Sequence, residues 1–162
     1  MSDIRQSPVS LPLPMRERTK SRQDPSAVSE IHQSQPRVDT EAMGRELQVI
    51  RGRVDRINGL LLASRDGLLL CGDTRGPHEE SVAAMAAATI GLAGKFTDQA
   101  MVGEPRAAVF EGMSGHVCIF PVDTAILLVV FGERDTNTGL FTVAARQALA
   151  QVQMAINRHT VS

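Results

Sequence analysis

The chain has 162 residues, with 17 basic and 18 acidic side chains and a formal net charge of −1. That length suits one domain of ordinary size with room for a tail. The near-neutral balance removes the long-range pull toward nucleic acid or an anionic membrane surface. The longest strictly apolar runs, Val82–Ala88 and Ala125–Phe131, fall far short of the ~20 residues of a bilayer span. Residues 1–40 also lack the apolar core of ~7–15 residues that a secretory signal requires. The two cysteines, Cys71 and Cys118, form neither a CxxC pair nor a dense disulfide pattern, which points to a reducing, cytoplasmic compartment. All basic residues except Lys20 and Lys95 are Arg; their scatter along the chain reads as compositional bias rather than a phosphate clamp.

Composition divides the chain near residue 39. Residues 1–38 hold five of the eight prolines and none of the thirteen glycines. Their Ser, Gln and Arg content offers too little burial to offset chain entropy, so the segment is expected to be a disordered arm. Within it, Leu11-Pro-Leu-Pro14 has the form of a short polyproline recognition motif. Residues 39–162 are expected to fold. Asp39 or Thr40 can cap a first helix reaching Arg53, with Met43, Leu47, Ile50 and Val54 on one face. Two strands follow, Ile57–Ser64 and Leu68–Cys71, joined at Arg65-Asp66-Gly67. An Asp-Gly there supplies the positive φ of a tight hairpin, so Asp66 reads as a turn former rather than an acid.

Residues 72–77 read as a linker whose Pro77 opens the first turn of a second helix extending to Met101. In that helix Val82, Met85, Thr89, Ala93, Phe96 and Ala100 trace an apolar face. A neighbouring set is small: Ala83, Ala84, Ala87, Ala88, Gly91 and Gly94. Glycine inside a helix costs ~1 kcal/mol relative to alanine, so a close contact should compensate it. That contact is either the chain's own sheet or a second copy of the helix, and the residues leave both open. Three strands come next, Pro105–Glu111, Gly115–Val122 and Thr124–Phe131, with links short enough to require antiparallel hairpins. The last is apolar on both faces, as a central strand covered on both sides would be. A third helix from Thr138 buries Phe141, Ala145, Ala148, Leu149, Val152 and Ile156. The expected order is α-β-β-α-β-β-β-α, an α+β fold with a five-stranded antiparallel sheet flanked by helices.

Site chemistry is scarce. Gly91-Leu-Ala-Gly94-Lys95-Phe96 resembles a phosphate loop, but Thr89 stands where its first Gly belongs and Phe96 where a Mg²⁺-binding hydroxyl belongs. His32, His78, His116 and His159 lack metal-ligand spacing. His116 and Cys118 share a strand face, and read as neighbours rather than a base and its nucleophile. Ser114 lacks the full elbow of a hydrolase serine. The expected class is a non-enzymatic protein-binding module with no cofactor and no metal.

The stretch Leu47-Gln-Val-Ile50, Val54, Ile57-Asn-Gly59-Leu-Leu-Leu62-Ala-Ser64-Arg-Asp66-Gly67-Leu resembles the opening of the roadblock/LC7 (dynein light-chain) family. The Ala-rich helix, three meandering strands and terminal helix continue the likeness over about residues 40–158. Arg56 departs from it, standing where many relatives carry glycine. The resemblance implies a profilin-like roadblock architecture and a non-enzymatic dimer, of this chain or with a paralogous roadblock protein. Third strands would pair edge to edge with second helices side by side. Carried onto this chain, the interface would comprise Ala84, Ala87, Ala88, Gly91, Arg106, Ala108 and Phe110. The implied role is a cytoplasmic adaptor or regulator of a small Ras-like GTPase in bacterial signalling, in some cases alongside a sensor kinase. The competing expectation is a PAS- or GAF-like small-molecule sensor, which needs a sizeable pocket with convergent polar groups.

Overall fold

A computed structural model describes residues 38–160; residues 1–37 of the expected arm, with the Leu-Pro-Leu-Pro segment, lie outside the described residues, and Val38 packs against the core. The elements are α1 (Thr40–Arg53), β1 (Ile57–Ser64), β2 (Leu69–Asp73), α2 (Glu79–Gln99), β3 (Ala108–Gly112), β4 (Gly115–Pro121), β5 (Ile126–Gly132) and α3 (Thr138–Thr160). The strands form one antiparallel sheet in the order β2-β1-β5-β4-β3. This is the expected element order, and the strand that is apolar on both faces, β5, is indeed the central one.

Strand periodicity divides the core into two layers. Leu60, Leu62, Cys118, Phe120, Leu128 and Val130 point to one face, where α1 and α3 cover them with Met43, Leu47, Ile50, Phe141, Ala148 and Val152. The alternate residues Leu61, Ala63, Ile119, Leu127 and Val129 point to the other, beneath α2. Asp39 caps α1 by accepting from the N–H groups of Glu41 and Ala42 at 3.1 and 3.0 Å. The β1–β2 turn closes as its residue types require. Gly67 takes φ +87°, and Leu68 N–H donates to Ser64 Oγ at 3.0 Å. Asn137 caps the start of α3 through Leu140 N–H at 2.9 Å.

Several boundaries differ from expectation for physical reasons. β2 runs on through Gly72 and Asp73, because Asp73 aligns with Leu60 and its carboxylate accepts from Arg51 Nε on α1. α2 begins after His78, which is extended (φ −74°, ψ 102°), so Pro77 precedes the cap instead of opening the first turn. β3 starts at Ala108, not Pro105. Its register with β4 would align Arg106 with Pro121, which has no N–H to offer a ladder. Arg56, at the junction of α1 and β1, adopts φ +69°, the left-handed conformation that glycine takes without cost.

Candidate functional site

The buried stripe of α2 is Ala83, Ala86 and Ile90, not Met85 and Phe96. Helix and hairpin approach so closely that a Cβ on Gly67 would lie 3.1 Å from Ala84 Cα and 3.6 Å from Ala87 Cβ. Only small residues fit there. The apolar face expected for the core is therefore split: Val82, Thr89 and Ala93 are half-buried, whereas Met85 and Phe96 are 67% and 73% exposed. Leu92 joins them at 69%. From Ser81 to Gly94, over more than three turns, α2 carries no charged residue. A helix face meant for water is normally charged or polar.

This face continues onto the edge of the sheet. Among the described residues β3 pairs with β4 alone, so its outer edge is the edge of the sheet. Register places Ala108 and Phe110 on the α2 side and Val109 and Glu111 on the other. Phe110 is half-exposed and forms one wall of an apolar groove of about 320 Å³. Val82, Met85, Ala86 and Thr89 form the opposite wall, with Val117, Ile119, Val129 and Phe131 beneath. Thr89 supplies the lining's one hydroxyl and no charged group borders it. The groove thus lacks the convergent polar groups by which a sensor pocket orients a small molecule.

The residues expected at a dimer seam occupy different settings. Ala88, Gly91 and Phe110 are exposed, and a Cβ on Gly91 would meet nothing within 4 Å. Ala108 is half-buried. Ala84 and Ala87 lie beside Gly67 of their own chain, although Ala84 also remains exposed. Arg106 sits in the loop before β3. Sequence reasoning missed Met85, Leu92 and Phe96 as surface residues. The available signal was their spacing of 7 and 4 in a stretch where the solvent face should have carried charge.

The remaining chemistry is structural. His116 is buried, stacks on Phe141 at 5.1 Å between ring centroids, and sets Nδ1 3.3 Å from the Glu133 carbonyl oxygen. Cys118 shares its sheet face, but burial pushes the thiol up to about 12, so it stays protonated. Residues 91–96 lie inside α2, where their N–H groups are committed to the helix. Ser114 occupies the β3–β4 turn and Asp66 the β1–β2 turn. Among the described residues, no group of three or more His, Cys, Asp or Glu side chains could hold a metal ion. Among them, too, no helix is long and apolar enough to cross a membrane.

The sequence model of the Roadblock/LC7 domain matches residues 43–131. No curated protein matches the chain. Among solved structures, a Roadblock/LC7 domain from Streptomyces avermitilis superposes with a TM-score of 0.62 at 18% identity, covering 74% of this chain and 98% of that one. Myxococcus xanthus MglB gives 0.63 at 15% identity, covering 74% of this chain and 91% of that one. Schizosaccharomyces pombe profilin gives 0.52 at 12% identity, covering 71% and 97%. These likenesses carry the fold, while the matched span covers α1 from Met43 through nearly all of β5. The chain belongs to the Roadblock/LC7 domain family.

Proposed function

We propose that the chain is a non-enzymatic, dimeric adaptor that regulates a small Ras-like GTPase in a cytoplasmic signalling system. The carrying observation is the uncharged, exposed face of α2 running onto the open edge of β3. Such a patch costs solubility on a monomer and marks a protein-binding surface. Dimerisation would place Ala88, Gly91, Ala108 and Phe110 at the seam, with Ala84 and Ala87 behind it and Arg106 at its rim. Family membership supports the GTPase as the outer partner, and a paralogous roadblock chain can take the place of the second copy. No geometry on the described surface favours the small-molecule sensor.

The test has two stages. Sedimentation of the full chain at micromolar concentration should give the mass of a dimer. The chain should then retain a small GTPase from its own cells, in a manner that depends on whether GTP or GDP is loaded. Its addition should change the rate of nucleotide hydrolysis or exchange. A monomer that retains no GTPase in either nucleotide state overturns the proposal.

A further inference from the structure

The outer face of α3 is a second uncharged helix surface, on the opposite side of the sheet from α2. From Thr138 to Asn157 the helix carries one charged residue, Arg146, over more than five turns. The guanidinium carbon of Arg146 lies 6.0 Å from the centroid of the buried Phe120 ring, so this side chain bends toward the sheet. α1, in the same layer, turns Glu41, Arg45 and Arg53 to solvent instead. On α3, Leu140, Val143 and Met154 are 45%, 67% and 56% exposed, and Gln147 and Ala150 between them are exposed too. Their spacings of 3, 4, 3 and 4 are the repeat by which one helix packs along another. We infer that α3 of a second copy lies antiparallel along this stripe, centred on Gln147. The pairing is independent of the dimer reading above, because it uses the other face of the sheet. Where that dimer forms, the stripe joins one dimer to the next.

The stripe is complementary to its own reverse. In an isologous interface, if residue i meets residue j of the partner, j meets i. With Gln147 on the axis, Leu140 and Met154 stand seven residues to either side and meet each other. Val143 falls against Ala150 and Gln151, so that its branched side chain meets a small one, as interdigitating helices require. Gln147 faces its own copy, and each carboxamide offers the other both donors and an acceptor. A parallel pairing would set Val143 on Val143 and Ala150 on Ala150, crowding one layer and leaving a gap in the next. The stripe also has no charge by which to select an acidic or basic partner, and a copy of itself brings none.

The area of the stripe sets the strength of the pairing. Leu140, Val143, Gln147, Ala150 and Met154 together expose on the order of 500 Å² per copy, or about 1,000 Å² for the pair, at the low end of specific interfaces. The association is therefore weak and depends on concentration. A dimer built on the other face of the sheet carries two such stripes, so a weak contact suffices to link dimers as their concentration rises.

Cysteine trapping in the full chain tests the register. Gln147→Cys places a thiol on the axis, beside its counterpart. Gln153→Cys, six residues on, would stand about 18 Å from its own counterpart, whereas a disulfide needs a Cα separation of ~4.4–6.8 Å. Under mild oxidation Gln147→Cys should give a covalent pair of chains in at least about tenfold higher yield than Gln153→Cys or the wild type, whose own thiols are Cys71 and the buried Cys118. Sedimentation of the wild type from ~10 to ~500 μM should show its mass doubling. Val143→Glu, at an exposed position that does not threaten folding, should weaken that association at least about tenfold by burying a charge against the second helix. Phe110→Glu, on β3, should leave the 147 bond intact. The species at the lowest concentration, monomer or dimer, tests the dimer reading; the doubling and the 147 bond test this one. Equal yields at 147 and 153 overturn the pairing, as does a mass that stays constant or is indifferent to Val143→Glu. If Val143→Glu instead abolishes retention of a GTPase by a chain that forms no 147 bond, the stripe belongs to that partner and the pairing falls.

Discussion

Gly132→Ala tests how tightly α3 is packed on the end of the sheet. Gly132 ends β5 opposite His116 of β4, and its φ lies outside the left-handed region, so the backbone accepts alanine. The obstacle is steric. A Cβ there would stand 2.3 and 2.4 Å from Cδ2 and Cε2 of Phe141, about 1 Å inside ordinary contact. The ring has no easy retreat, because Phe141 is fully buried and stacks on His116. Overpacking a core costs typically 1–3 kcal/mol, and with the ring fully buried and stacked on His116 we expect about 3 kcal/mol, or a fall of about 10 °C in Tm. The chain has no Trp or Tyr, so urea unfolding is best followed by far-UV circular dichroism. A double-mutant cycle isolates the cause: with Phe141→Leu in the background, the added methyl should cost less than about 1 kcal/mol, a coupling of about 2 kcal/mol. Because dimerisation would add concentration-dependent stability, all four proteins should be compared at one concentration. A Gly132→Ala chain within about 0.5 kcal/mol of wild type refutes the reasoning. So does a full-sized loss that persists after the ring is removed.

Met101→Gly should stabilise the chain by about 0.5–1 kcal/mol. Met101 holds φ +55° just past the end of α2, where its N–H bonds Asp98 O and that of Val102 bonds Thr97 O, and its side chain is 91% exposed; an unchanged urea midpoint would count against this. Burial pushes the Cys71 and Cys118 thiols up to about 11 and about 12. At pH ~8 the native chain should therefore alkylate on the order of 100-fold more slowly than the urea-unfolded chain, and equal rates would contradict the burial. Asp39 is held below its usual 3.8, first by the hydrogen bond from Ala42 N–H. Its stabilising contribution is therefore full above its unfolded value and lost as pH falls through the lowered folded one. Asp39→Asn keeps an acceptor at the cap, so its melting temperature should fall less steeply than wild type between pH ~4 and ~2.

The strand elements were the most legible in sequence because their signals are local and exclusive. Arg65-Asp66-Gly67 marks the β1–β2 turn, and β1 ends at Ser64 as expected. Ala125–Phe131 is apolar at both parities, and only a strand covered on both faces tolerates that. Boundaries set by a distant partner were harder to read. β3 begins late because Pro121 lies opposite Arg106, and β2 runs long because Arg51 reaches Asp73 from another element. Arg56 was visible as a departure from the family's pattern, but its cost is a torsion of +69° that no spacing rule reports.

The face of α2 was the hardest to assign, and the reason concerns packing distance rather than hydrophobicity. Periodicity ranks Met85 and Phe96 above Ala83 and Ala86 as core residues, since burying a large side chain gains more than burying a methyl. That ranking assumes the helix can stand off far enough to admit them. Here the hairpin comes so close that even a Cβ on Gly67 would stand 3.1 Å from Ala84 Cα, so the inward stripe is small at Ala83 and Ala86, and Met85 and Phe96 face outward. Left on a monomer, that arrangement keeps the more apolar stripe of the helix in water, an inversion of the usual amphipathic order. In the dimer proposed above, a second helix on the outer face would restore the order, burying Met85, Leu92 and Phe96 while Ala88 and Gly91 let it approach. The choice of alanine for the inner face and of phenylalanine for the outer one would then have a single cause, α2 serving as a middle layer with its own sheet on one side and a partner on the other.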